Sequence, residues 1–363
     1  MSSLIATVTN DLSQDQRMHR ICGSLAQAGY SVTLVGRELP HSLPLKEQVY
    51  RQHRIRCKHL RGKRFYWEYN QKLSRYLKQQ QPDIINSVDL DTLWAGYRAA
   101  RKTGAKLVYD AHEYFSETPE VVGRKLVQTV WRRLARRLIP RADLCYTVGP
   151  ALAKEFQRVY GRDFGIVRNL PYRRKDQFLE PPAGPKILLY QGMLNQGRGL
   201  YTLLDAMAEL PNYELWMAGN GDLEAELRAY ADQSGIADRI KWLGFVPPAE
   251  LPAITRQAYL GFNLLIPESA SYYFSLANKT FDYIQAGVPA FHMHFPEYLQ
   301  LDQDYGGVIL QGRLYLEAIV CEIQELEREP ARYQQLRQAC LQAAEELCWE
   351  KEEGRLLGYY EGL

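Results

Sequence analysis

The sequence predicts an α/β protein built of two Rossmann-like, doubly wound domains. Three observations support this. The 363 residues suit two domains of ordinary size. Two separate series of β-rich runs alternate with helical stretches, one beginning at Leu4 and the other at Lys186, and strand–helix–strand at this spacing is the unit of a parallel sheet. The charge also changes sign along the chain: residues 1–175 carry 32 Lys+Arg against 15 Asp+Glu, and the rest carries 13 against 27. The net +3 thus conceals a basic half and an acidic half, as expected of two domains with different partners.

The six cysteines are scattered, with no C-x-x-C pair, so neither a zinc site nor a disulfide framework is expected and a reducing compartment fits. The start of the chain lacks the charged and apolar regions of a signal peptide, and no apolar run approaches the roughly 20 residues of a membrane span. The expected location is cytoplasmic, soluble or peripheral to the inner face of a membrane.

The first series opens with a strand over 4–8, a polar loop, a helix over 17–28 closed by Gly29, and a strand over 31–35. The loop from Asn10 to Arg17 lies at a strand's carboxyl end, the edge where doubly wound sheets bind ligands. It holds no glycine and is no dinucleotide fingerprint; Asp15 also suits a helix N-cap. Residues 51–64 hold seven Lys or Arg and two His, which reads as a solvated loop or as a contact for something anionic. Phe65-Tyr66-Trp67 open a helix reaching about residue 80, followed by strand 83–87, helix 91–102 and strand 106–109. His112 and Glu113 sit just past that strand, again at the ligand edge, and no H-E-x-x-H surrounds them. A helix over 124–141 repeats Leu126, Val130, Leu134 and Leu138 at i+4, with Val127 and Trp131 beside them. That apolar stripe is expected on the sheet, with Lys125, Arg132, Arg133, Arg136 and Arg137 largely away from it. Strands 144–148 and 165–167 flank a helix over 151–160.

Residues 171–185 are charged, Pro-containing and without apolar periodicity, which reads as a linker. The second series begins with strand 186–190 and the loop Gly192-Met193-Leu194-Asn195-Gln196-Gly197-Arg198-Gly199, whose glycines let backbone approach a phosphate. Strand 214–217 ends in Ala218-Gly219-Asn220-Gly221-Asp222, and strand 240–243 leads to Gly244-Phe245-Val246-Pro247. After strand 259–265 comes the most informative stretch, 272–289. There the loop Ser275-Leu276-Ala277-Asn278 feeds a helix, whose N-terminus offers N–H groups and a positive dipole end to an anion. Lys279, in the first turn, is unfavourable unless it faces an anion, and Asp282 is spaced for a pair of sugar hydroxyls. A capped amphipathic helix with solvated Lys and Asp is the plainer alternative. His292 and His294 have no third ligand nearby and read as structural; the tail 332–363 is helical.

FDYIQAGVP, at 281–289, resembles the E-A-x-A-x-G-x-P segment that closes the donor site of GT-B glycosyltransferases of the retaining family 4, the group 1 transferases. SLANKTFDY resembles a branch reading S-L-P-N-K-x-F-[DE]-Y, and the loop at 192–200 resembles the family's G-R-L…K-G loop. The resemblance covers nearly the whole chain and is most specific over 192–289. It implies a GT-B fold, two Rossmann-like domains facing a cleft: an acceptor-side domain at 1–170, the linker at 171–185, a nucleotide-sugar domain at 186–345, and a helix at 346–363 crossing back. It implies retaining, hexosyltransferase-type transfer from a nucleotide-sugar to a lipid-linked or glycan acceptor, in polysaccharide biosynthesis.

Residue by residue, the resemblance gives Asp282 the ribose and gives Arg198 and Lys279 the leaving diphosphate. Gly192, Gly197 and Gly199 line the phosphate loop, Gly219 and Gly221 lie beneath the sugar, and the turn at Phe245 and Val246 holds the base through its backbone. Ser275, Leu276, Ala277 and Asn278 complete the donor site. His112 faces the transferred sugar; Asp15, Arg17 and Glu113 belong to the acceptor side. Two positions depart from the family: Phe274 stands where another Glu is usual, and Met193 replaces one of two phosphate cations. They motivate a second reading, a GT-B protein that binds a nucleotide sugar with little or no transfer. No metal and no cofactor beyond the donor are expected, since Asp89-Leu90-Asp91, which fits D-x-D, caps a helix in the first domain. The basic half fits an anionic membrane surface; no nucleic-acid reading motif is present.

Overall fold

The computed structural model describes residues 2–174 and 185–363; most of the stretch expected as a linker, 175–184, lies outside them. The chain forms two compact units, Met1–Asn169 with Lys351–Leu363, and Leu170–Glu350.

Unit 1 holds a seven-stranded sheet of β1 (Ser3–Thr7), β2 (Ser31–Glu38), β3 (Arg51–Arg56), β4 (Ile84–Val88), β5 (Lys106–Ala111), β6 (Leu144–Thr147) and β7 (Gly165–Ile166). The order is β3-β2-β1-β4-β5-β6-β7, with every pair parallel. The order reverses between β1 and β4, whose register sets Ile5 against Ile85. The crossovers are α1 (Gln16–Gln27), α2 (Gly62–Gln80), α3 (Asp89–Thr103), the short α4 (Pro119–Val122), α5 (Lys125–Leu138) and α6 (Pro150–Tyr160). Central strands run through buried apolar residues because helices cover both faces; β4 is buried along its whole length.

Unit 2 repeats the plan with β8 (Lys186–Gln191), β9 (Tyr213–Ala218), β10 (Ile240–Gly244), β11 (Leu260–Asn263), β12 (Ala290–Met293) and β13 (Val308–Gln311). Its order is β10-β9-β8-β11-β12-β13, reversing between β8 and β11. The helices are α7 (Leu200–Glu209), α8 (Glu224–Gln233), α9 (Leu251–Thr255), α10 (Ala270–Tyr273), α11 (Asn278–Gln285), α12 (Pro296–Tyr305), α13 (Leu316–Arg328) and α14 (Pro330–Glu346); α15 (Trp349–Glu361) follows and belongs to unit 1 from Lys351 onward. Both faces of the sheet are covered: Leu188, Tyr190, Leu215 and Phe262 belong to one apolar cluster, and Leu189, Trp216 and Tyr283 to another.

Two expectations change here. The basic run at 51–64 is partly an edge strand, β3, and its charges are partly matched within the unit: Arg54 pairs with Asp11 at 2.7 Å and His59 meets Glu68 at 2.8 Å. Charged side chains on an edge strand deter sheet-to-sheet pairing. The expected stripe of α5 does not lie wholly on the sheet. Leu138 is buried, but Leu126 is 86% and Val130 63% exposed. The reason is helical geometry: an i+4 repeat advances about 40° per step, so four such residues spread over a third of the circumference. The helix buries Gln128, Ala135 and Leu138 instead. Tyr66 and Trp131 stack edge-on with ring centroids 5.4 Å apart, and Phe65 is buried; of the run Phe65-Tyr66-Trp67, Trp67 is the exposed one, at 68%.

Candidate functional site

Unit 2 builds its site at the carboxyl edge of the sheet, where the strand order reverses between β8 and β11. The loops after β8 and β9 lock together. Gly192 N–H donates to the Ala218 carbonyl at 2.9 Å, Leu194 N–H to Asn220 at 3.0 Å, and Leu223 N–H back to Leu194 at 3.0 Å. A Cβ on Gly219, whose φ is +151°, would lie 1.8 Å from the Gly192 carbonyl oxygen, and one on Gly221 would lie 2.3 Å from that of Leu194. The sequence reading set these glycines beneath a sugar; their first duty is to let two loops touch. Gly197 and Gly199 likewise adjoin the Tyr272 ring and the Leu264 carbonyl.

Gly192 serves differently. A Cβ there would come within 3.0 Å of Lys279 Nζ, so the missing side chain makes room for the lysine. Lys279 starts on the exposed end of α11 yet is only 8% exposed, with Nζ 4.1 Å from the centre of the Tyr190 ring. Among the described residues it has no carboxylate partner. Burial, and then the neighbouring charge of Arg198, hold its pKa well below the usual lysine value. Arg198 stands 5.9 Å from the Tyr272 ring centre, and its Nε is buried without a hydrogen-bond partner. Two adjacent cations, one buried and neither in an ion pair among the described residues, suit an anion supplied from outside.

The approach to α11 is more committed than its sequence suggests. Ala277 N–H donates to the Tyr298 hydroxyl at 3.1 Å, and the Ser275 hydroxyl donates to the Tyr272 carbonyl at 2.8 Å. Asn263 also donates to Tyr298, at 2.7 Å, and Thr280 meets His292, which accounts for that buried histidine. Ala277 and Ser275 thus shape the loop, and these two groups are not offered to a donor. Leu276 is buried, Asn278 exposed, Phe245 exposed, and Val246 packs on the core.

Asp282 lies one turn past Lys279. Gln191 Nε2 donates to its Oδ2 at 3.1 Å, and Arg174 stands 3.6 Å from Oδ1. Sequence reasoning missed Gln191 and Tyr190. Their signal was present: a polar pair closing an otherwise apolar strand, at its carboxyl end.

Unit 1 brings its candidates together after β1, β4 and β5. Arg17 was expected to face an acceptor. It is instead 4% exposed, donates to Asp110 Oδ1 at 2.9 Å and to the Val167 carbonyl at 2.9 Å, and so supports the site from within. Asp15 caps α1, accepting from Met18 N–H at 3.1 Å. His112 is held from two sides: its backbone N–H donates to Asp89 Oδ1 at 2.8 Å, with ring Nδ1 3.8 Å from Asp89 Oδ2, and ring Nε2 lies 3.3 Å from Asp110 Oδ2. Asp89 takes φ of +53°, a conformation that costs energy outside glycine and that aims its carboxylate at His112. Burial opposes the charges here, but Arg17 and His112 keep the Asp110 carboxyl below its usual range, and Asp110 and Asp89 raise the His112 imidazole. Asp91 accepts from Thr9 at 2.6 Å and is pushed up to about 7 by burial and then by Asp89. Both acids of the D-x-D pattern are therefore engaged with protein groups. Glu113 is exposed at the same edge.

Residues 14–169 match the family model described as Glycosyltransferase Family 4, and residues 172–270 match that described as Glycosyl transferases group 1. The second match stops short of Lys279 and Asp282. A lipopolysaccharide core biosynthesis glycosyltransferase, LpsD of Rhizobium meliloti, is 25% identical over 182 residues, 48% of this chain and 46% of its own. The chain spans about half, or less, of the length of the curated relatives it matches. Among solved structures, sucrose-phosphate synthase from Thermosynechococcus elongatus superposes with a TM-score of 0.81 at 16% identity, covering 100% of this chain and 99% of that one. Anabaena HepE in complex with UDP-glucose gives 0.80 at 14% identity, covering all of both chains. No helix among the described residues is long and apolar enough to cross a membrane.

Proposed function

The chain belongs to the group 1 glycosyltransferases of GT-B fold, and from that premise we propose that it transfers a hexosyl group, with retention, from a nucleotide-sugar to a glycan or lipid-linked acceptor. The observation that carries the proposal is the pair of buried Lys279 and half-buried Arg198 at the β8–β11 reversal, neither in an ion pair among the described residues. A departing nucleoside diphosphate gains negative charge as the glycosidic bond breaks. Two preorganised cations stabilise that charge more in the transition state than in the bound donor. His112, fixed by Asp89 and Asp110, is the group proposed to meet the transferred sugar. The proposed chemistry is same-face attack assisted by the leaving phosphate, with Lys279 and Arg198 in the place a metal would take.

The curated relatives named for lipopolysaccharide synthesis support a glycan acceptor, and HepE, crystallised with UDP-glucose, supports a nucleotide-sugar donor. Calorimetric titration with nucleoside diphosphates, followed by nucleotide release from a panel of nucleotide-sugars, tests the reading. Binding of one diphosphate, and turnover unchanged by EDTA, are expected. Absence of diphosphate binding overturns the donor site; turnover lost in EDTA and restored by magnesium or manganese overturns the metal-free mechanism.

Phe274 favours the second reading, a nucleotide-sugar binder with little transfer. Its ring packs on Tyr273, with centroids 5.1 Å apart, where the family usually presents an acid. Tight donor binding without nucleotide release, with or without glycan acceptors, would favour it.

A further inference from the structure

Asp282 is not simply displayed on α11; it ends a hydrogen-bonded chain inside unit 2. Gln191 Nε2 lies 3.1 Å from Asp282 Oδ2, and Gln191 Oε1 lies 2.9 Å from the Thr255 hydroxyl. Gln191 is 2% exposed and Thr255 is fully buried. The direction of the chain follows from its chemistry. An ionised Asp282 only accepts, so the Gln191 amide must turn its NH₂ to it and its oxygen to Thr255. The Thr255 hydroxyl has one proton and two acceptors in reach, Gln191 Oε1 and the Leu251 carbonyl, each at 2.9 Å. Two oxygens left facing each other without a proton would repel, so the proton goes to Gln191. Thr255 thereby fixes which end of the Gln191 amide faces Asp282. A carboxylate offers about four lone-pair positions, so with Oδ2 held by Gln191 and Arg174 3.6 Å from Oδ1, Asp282 keeps capacity to accept from a hydroxyl.

We propose that Gln191 and Thr255 are positioning residues for Asp282, and that the Thr255–Gln191–Asp282 chain sets a preference for ribonucleotides over 2′-deoxyribonucleotides. The inference rests on the reading of Asp282 as the ribose-binding acid. A carboxylate free to rotate about two side-chain bonds would hold a ribose hydroxyl pair poorly. One clamped on Oδ2 presents Oδ1 in a single direction.

The test is calorimetric titration of the full chain with matched ribo- and 2′-deoxyribonucleoside diphosphates, using the base that binds best. The unaltered protein is expected to favour the ribonucleotide about tenfold, the worth of one hydrogen bond to a charged group. Asp282→Asn should reduce that ratio to roughly one to two. Thr255→Val, which keeps the shape and removes the proton, should narrow it to about two- to threefold, and Thr255→Ser should restore it. Gln191→Leu should behave like Asp282→Asn; melting temperatures identify any variant that fails to fold, in which case Thr255→Val decides. A merely structural role would weaken both nucleotides alike and leave the ratio unmoved. If Asp282→Asn collapses the ratio while Thr255→Val and Gln191→Leu keep it, the positioning chain is overturned and the ribose reading stands. If Asp282→Asn itself leaves the ratio unchanged, the ribose reading falls and the inference with it.

Discussion

The carboxyl edges of the two sheets are built alike and charged differently. In unit 1 the buried cation Arg17 meets Asp110, which also faces His112 Nε2, while Asp89 accepts from the His112 backbone N–H and stands 3.8 Å from the ring's Nδ1. In unit 2 the buried cation Lys279 meets an aromatic ring and another cation. A buried ion pair is internally balanced and acts as scaffold, whereas a buried unpaired cation is a cost that the fold retains for something it lacks. The same residue class, a basic side chain at a strand's ligand edge, thus supports one site from inside and forms the other.

Replacing each cation by Met separates the two roles most strongly. Arg17→Met leaves Asp110 buried without its main partner, and a loss of about 3–5 kcal/mol of stability is expected from chemical denaturation. Lys279→Met removes an unbalanced charge, so stability should be unchanged or higher, while turnover falls by roughly 10²–10³, as when one donor to a developing anion is removed. Equal destabilisation by both changes would break the comparison. Unimpaired turnover in Lys279→Met would remove the anion site.

Proton linkage sharpens the same contrast. Burial and Arg198 hold the Lys279 pKa below its unfolded value, so between those two values the unfolded chain binds more protons and stability rises with pH. An anion beside Nζ reverses the pressure and raises that pKa. Diphosphate binding should therefore take up a proton in this window, and affinity should fall as pH rises through it. Titrations in buffers of different ionisation enthalpy measure the uptake. Zero uptake across the window would mean that Lys279 does not face the phosphates.

Much of this was legible in sequence. The two βαβ series, the order of the loops, and a lysine in the first turn of α11 pointed to the fold and the anion site, because periodicity and helix polarity are local properties. Arg17 was misjudged because its partner Asp110 is distant in sequence and only the β1–β4–β5 arrangement brings them together. β3 was missed because Arg51, Arg54 and Arg56 carry no apolar alternation, and an edge strand needs none. The outward turn of Leu126 depends on where the sheet meets α5, which the i+4 repeat alone does not specify.

The smallest expected effect concerns cations that face outward. On α5, Leu126, Val130, Arg133 and Arg137 follow one another at i, i+4, i+7 and i+11, so the exposed apolar residues share a face with two arginines. Lys125, Arg133, Arg136 and Arg137 form no ion pair among the described residues, unlike Arg132, which Glu117 binds at 2.7 Å. An apolar pair flanked by unmatched cations suits an anionic lipid surface, the peripheral attachment proposed for a chain whose acceptor is carried on a lipid. Each cation near such a surface contributes about 1 kcal/mol, decaying over roughly 8 Å at physiological salt. Sedimentation with anionic vesicles should show binding at low salt and release at high salt, with none on neutral vesicles. Leu126→Ser with Val130→Ser should weaken it about tenfold or more, since a buried aliphatic side chain contributes about 1.5–3 kcal/mol. Arg133→Gln with Arg137→Gln should weaken it by a similar factor and flatten its salt dependence. Negligible pelleting with both vesicle types at low salt would leave these arginines as solubilising charges, and the unmatched cations of unit 1 would then have no partner to explain them.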